Sequence, residues 1–132
     1  MSGGYEAEVL ARQLSQLGRD LQDGVAHLGE LEEQAVDCEG DYRHLEAEYD
    51  DGIDRAFLIA EGSVEARRAQ SRIKCHPARL IMLDASLEWG RAKARVRMQN
   101  ANLSAIGKRI EVGRSLLARE RSLLSLGGIG ET

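Results

Sequence analysis

The segment "GRAKARVRMQ", residues 90–99, places a base at every second position: Arg91, Lys93, Arg95 and Arg97. Lys and Arg at this density suit one kind of chemistry. They neutralise phosphate oxygens and release the counterions that a nucleic acid carries. Upstream, "EARRAQSRIK" adds Arg67, Arg68, Arg72 and Lys74. These eight residues are the candidate nucleic-acid-binding set. Lys108, Arg109, Arg114, Arg119 and Arg121 prolong the basic character further along the chain. Aromatic residues that would stack on bases are scarce. Trp89, the one tryptophan, falls on an apolar repeat and is expected in the core. Binding by such a surface would be sequence-nonspecific.

Other chemistries find little support. Cys75 and His76 form a lone pair with no second pair at zinc-ligand spacing, and Cys38, His27 and His44 lie far away in sequence. No phosphate-cradling G-x-x-x-x-G-K-S/T occurs. The carboxylate clusters read as a solvated helix face rather than an acid/base pair. The expectation is a non-enzyme with no cofactor, no metal and no small-molecule substrate. No apolar run is long enough to span a bilayer, so no membrane is expected as a partner. The opening "MSGGYEAEVL" lacks the basic and apolar regions of a secretory signal. A cytoplasmic chain with two reduced thiols is therefore expected.

The bases must be positioned by helix. The composition is rich in Ala, Leu, Arg and Glu, with one Pro, one Phe and one Trp. In the first half, alternating steps of four and three from Leu10 reach Leu14, Leu17, Leu21, Gly24, Leu28 and Leu31. They continue through Ala35, Cys38, Tyr42, Leu45, Tyr49, Gly52 and Ala56 to Ile59. Only Gly24 and Gly52 break the apolar set. A repeat of 3.5 residues held this long implies a seam against another helix. A helix over 5–61 would be roughly 85 Å long, too long for a small globular core.

Gly62 suits a left-handed cap and Ser63 an N-cap, so a short helix is predicted over 64–74. Pro77 disfavours helix at His76 and is welcome in the first turn of a new one. From Pro77 a second long helix is predicted to residue 126, with a flexible Gly-rich tail over 127–132. Its sevenfold repeat is Met82, Trp89, Val96, Leu103, Ile110, Leu117 and Leu124. Ala85, Ala92, Ile106 and Gly113 are companions, and Gln99 and Glu120 are defects. Leu80, Leu83 and Leu87 widen its first turns, where the short helix could dock. The fold class is thus all-α: two long antiparallel coiled-coil-like helices joined by a short one, a single helical domain over 1–132. Leu14, Leu21, Leu28, Trp89, Val96, Leu103, Ile110 and Leu117 are the candidate core and oligomerisation residues. Leu80, Ile81, Leu116 and Leu123 lie off the seam and invite neighbours, so a homo-oligomer is expected.

Charge is split between the halves. Residues 1–66 carry 17 Asp/Glu against 4 Arg, a balance of −13, and residues 67–132 carry 14 Lys/Arg against 5 Asp/Glu, a balance of +9. Two readings follow. In one, the acidic and basic arms pair internally, with Lys93 and Arg95 flanking the seam, and the protein is a structural or adaptor coiled coil. In the other, the basic surface takes a polyanion.

"DASLEWG", Asp84 to Gly90, set in a long C-terminal helix, resembles the UvsY-like recombination mediators of tailed phages. "AEGSVEARRAQ" is similar to stretches of small phage or prophage helical proteins. The resemblance covers about the last 60 residues. It implies a ring-like oligomer that binds single-stranded DNA and loads a recombinase past single-strand-binding protein. The strongly acidic first helix departs from that pattern.

Overall fold

A computed structural model describes residues 2–130 of the chain, with side chains described for residues 4–127. The fold is all-α. Three helices follow in order: α1, Ser2–Ile59; α2, Val64–Lys74; α3, His76–Gly130. No strand occurs among the described residues. The alternation in "RAKARVRM" is therefore helical, as the longer sevenfold repeat requires. No helix is long and apolar enough to cross a membrane among the described residues.

The boundaries of α2 coincide with those expected, and its caps explain them. Ser63 is extended and its Oγ accepts a hydrogen bond from the Ala66 amide at 3.2 Å. Glu65 in the first turn and Arg72 and Lys74 in the last complement the helix dipole. Gly62 has φ of +106°, which a side chain would strain. This ends α1 at Ile59 instead of residue 61. At the other end, the Cys75 amide bonds to the Ser71 carbonyl at 3.0 Å, and the Cys75 carbonyl accepts from the Arg79 amide at 3.0 Å. Cys75 thus closes α2 and opens α3, which begins at His76, one residue before Pro77. Pro77 lies in the first turn, where a missing amide proton costs no helical bond. The expected flexible tail over 127–132 is corrected in part: α3 continues through Gly130. Each further helical residue adds one hydrogen bond for one residue fixed, so a formed helix runs on. Glu131 and Thr132 lie outside the described residues.

Packing divides the chain into two compact units: Met1–Gly29 with Arg97–Thr132, and Glu30–Val96.

In the first unit, Leu10, Leu14, Leu17, Leu21 and Leu28 are half-buried on α1. On α3, Ile110 and Leu117 are buried and Leu103 and Ile106 half-buried. The two seam irregularities, Gly24 and Gln99, meet. Gln99 Nε2 donates to the Gly24 carbonyl at 3.0 Å. A Cβ at Gly24 would lie 2.5 Å from Leu103 Cδ2 and 3.2 Å from Gln99 Nε2. Gly113 takes Leu14 in the same way, with Cδ2 only 2.7 Å from an ideal Cβ.

In the second unit, Leu31, Ala56 and Ala92 are buried, and Ala35, Leu45, Met82, Ala85 and Val96 are half-buried. Trp89 is half-buried, stacked on Tyr42 with ring centroids 5.6 Å apart. The expected docking of α2 on Leu80, Leu83 and Leu87 is not observed; all three are exposed. α2 is held instead by the C-terminal end of α1. There the last carbonyls have no intrahelical partner and attract donors.

The Gly24 contact generates a stability prediction. Gly18 has open space where a Cβ would go, so Gly18→Ala should raise the melting temperature, by up to about 1 kcal/mol of helix propensity. Gly24→Ala should gain less than Gly18→Ala, because the Leu103 and Gln99 side chains must move aside. Far-ultraviolet circular dichroism melts of the two variants check this. A Gly24→Ala protein as stabilised as Gly18→Ala would refute the close approach.

Candidate nucleic-acid interface

Seven of the eight candidate residues lie in the unit Glu30–Val96, and Arg97 belongs to the other unit. On α2, Arg67 is committed to structure. Its Nε and Nη2 donate to the Phe57 carbonyl at 3.2 and 3.0 Å, and its guanidinium lies over the Phe57 ring at 4.5 Å. It is half-buried and acts as a side-chain cap for the C-terminus of α1, where a cation is favoured. Gln70 does the same nearby, donating to the Glu61 carbonyl at 2.9 Å. Ser71, 2% exposed, returns its hydroxyl to the Arg67 carbonyl at 2.8 Å. Arg68, Arg72 and Lys74 remain exposed. Arg68 and Arg72, four apart, share one face of α2.

On α3, the two basic rails appear as expected from spacing. Arg91 bonds Glu88 on its own helix. Lys93 Nζ lies over the Trp89 ring, 4.0 Å from its centroid. Arg95 and Arg97 are exposed and form no side-chain bond or ion pair with other described residues. The ion pairs of Arg with carboxylates are local ones. Arg43 reaches Glu39 and Glu46, Arg55 reaches Asp51, and Arg91 reaches Glu88. Each of these Arg–carboxylate pairs joins residues of one helix, three or four apart.

Sequence reasoning missed the surroundings of Trp89. Tyr42 stacks on it at an interplanar angle of 27°, and Arg43 of the acidic helix lies 5.6 Å from its centroid. Two cations therefore face one indole, each contact worth about 0.5–1 kcal/mol at an exposed site. The heptad marked Tyr42 and Trp89 as seam residues, but nothing in their spacing shows that they meet. Also missed was a cleft of about 670 Å³ between α1 and α2. Tyr49, Asp50, Ile53, Asp54 and Phe57 line it from α1, and Arg68, Ser71 and Arg72 from α2.

The cysteines are free; Cys75 is buried at the α2–α3 joint and Cys38 half-buried. Among the described residues, no three His, Cys, Asp or Glu side chains gather as they would around a metal ion. No family model, curated protein or solved structure matches this chain.

Tyr42 donates its hydroxyl proton to Glu46 Oε2 at 2.7 Å. That hydrogen bond, helped by desolvation and the Glu46 charge, raises the Tyr42 pKa above 10.0. The folded chain holds this proton more tightly than the unfolded chain does. The resulting stability is present below about pH 10 and is lost as pH rises through the raised folded value. An ultraviolet absorbance titration should show one phenol ionising above the ordinary tyrosine range. Tyr42→Phe should delete that phase, keep the Trp89 stack and lessen the alkaline fall in melting temperature. Unchanged alkaline titration in Tyr42→Phe would break the assignment.

Proposed function

We propose that this chain is an accessory protein that binds single-stranded DNA without strong sequence preference, in the manner of a phage recombination mediator. The observation that carries this reading is the separation of charge without contact. Arg68, Arg72, Lys74 and Arg95 are exposed, and among the described residues none of them forms an ion pair. Internal pairing of the arms, the adaptor reading, needs those contacts. Lys93, which that reading would pair with α1, lies over Trp89 instead. At physiological salt the Debye length is about 8 Å, so carboxylates farther than that from a bound phosphate are largely screened.

Assembly is part of the proposal. Within the first unit, Leu14 meets Gly113 while Gly24 meets Leu103, so ten residues forward on α1 match ten back on α3. This ordering supports an antiparallel coiled-coil-like pairing of the two segments. The off-seam residues Leu80, Ile81, Leu116 and Leu123 are 50%, 55%, 44% and 53% exposed. Covering them with further copies gives the homo-oligomer that a recombination mediator would use. The resemblance at "DASLEWG" supports loading of a recombinase past single-strand-binding protein, in the cytoplasm of a host cell.

Two measurements test this reading. Binding to labelled single-stranded DNA should weaken steeply with salt, with a log–log slope of about −0.7 per phosphate contacted. Replacing Arg68, Arg72 and Lys74 by Ala should flatten the slope and leave helicity intact. Arg67→Ala should behave oppositely, lowering melting temperature by loss of the Phe57 cap with little change in slope. Absence of binding at low salt would give the case to the adaptor reading. Light scattering at micromolar concentration should give a mass well above the 14.5 kDa chain. A monomer at high concentration would remove the assembly.

A further inference from the structure

The cleft between α1 and α2 has two walls of opposite charge that do not close on each other. Asp50 and Asp54, four apart on α1, line one side, and Arg68 and Arg72, four apart on α2, line the other. All four side chains are exposed, and among the described residues no ion pair joins the walls. Tyr49, Ile53 and Phe57, each half-buried, supply apolar surface between them. Opposite charges this near would be expected to collapse into salt bridges. The brace at the end of α1 opposes that. Arg67 is fixed to the Phe57 carbonyl and Gln70 to the Glu61 carbonyl. α2 cannot roll towards the aspartates without breaking these bonds. The cleft is held open at about 670 Å³, within the usual range for small-ligand sites.

A ligand that suits this cleft is flat, anionic at one end and rich in N–H donors at the other. A nucleotide has that form. Its phosphate suits the Arg68 and Arg72 guanidiniums, its ring suits the apolar surface of Tyr49 and Phe57, and an exocyclic amine suits the carboxylates. Cytosine N4 and the guanine N1–H/N2–H₂ edge donate to a carboxylate. Thymine offers a single N–H flanked by two carbonyl oxygens, which the aspartates repel. We propose that this cleft seats one nucleotide of a bound strand and that Asp50 and Asp54 favour amino-bearing bases over thymine. The inference rests on the DNA-binding reading and sharpens it: backbone attraction is nonspecific, while this cleft adds a preference.

The full-length protein should be titrated with labelled oligo(dC) and oligo(dT) of equal length, pyrimidines with equal phosphate counts. Wild type should bind oligo(dC) roughly threefold to tenfold tighter. Asp50→Asn with Asp54→Asn should bring the ratio near one while tightening oligo(dT), since two negative charges leave the site. Arg68→Ala with Arg72→Ala should weaken both oligomers. Equal wild-type affinities, or an unchanged ratio in the double asparagine variant, would overturn the proposal. A second arm uses dGMP, dCMP and dTMP by calorimetry. If no oligomer binds but dGMP and dCMP bind above dTMP and lose that preference in the asparagine variant, the cleft stands and the DNA reading falls. If oligomers bind without base preference, the DNA reading stands and the cleft proposal falls. Circular dichroism of the asparagine variant confirms that α1 persists.

Discussion

A narrow apolar stripe on a long helix has one way to leave water, which is against another stripe of the same period. Everything else in this chain follows from that constraint. Leu31, Ala56, Cys75, Ala92, Ile110 and Leu117 are its buried apolar residues among those described. Most other seam residues are half-covered. Positions where a side chain of one helix sits against the backbone of the other therefore matter disproportionately. Gly24 under Leu103 and Gly113 under Leu14 are such positions. Gln99 adds direction to them. A polar side chain on an apolar seam is tolerated when it finds a partner, and it then specifies alignment. Sliding the seam by one heptad would take the Gln99 amide away from the Gly24 carbonyl.

The elements were legible because periodicity and capping are local properties. Leu10 through Ile59 follow one repeat, and each of those seam positions except Ile59 is buried or half-buried. Ser63 and Gly62 marked the break by side chain and by backbone freedom. The pairing of defects was illegible. Gly24 and Gln99 are 75 residues apart, and each looks like an error when viewed on its own helix. The capping role of Arg67 was illegible for a related reason. Beside Arg68 it reads as one more base, and only the end of α1 ten residues earlier turns it into a cap. Charge balance is visible in a sequence; which charges touch is a matter of tertiary distance.

The division of labour among the bases on α2 follows from helical geometry. Arg67 turns to the end of α1, where it caps the Phe57 carbonyl. Arg68, one residue further round, and Arg72 face the cleft. A single-residue shift thus separates a guanidinium that stabilises the fold from one that is available to a ligand. The same logic holds on α3, where Lys93 is drawn onto Trp89 while Arg95, two residues on, stays in water.

Cys75 links α2 to α3 with no residue left over, since its amide ends one helix and its carbonyl starts the next. The consequence concerns the route by which the chain reaches its fold. Bonds across the turn that precedes α2 also span short stretches: nine residues from Glu61 to Gln70, ten from Phe57 to Arg67. Closing such small loops forfeits little chain entropy, whereas bringing Gly24 to Gln99 unaided would enclose most of the molecule. Within the unit Glu30–Val96 the bends on either side of α2 can therefore form early, from closures that each involve few residues.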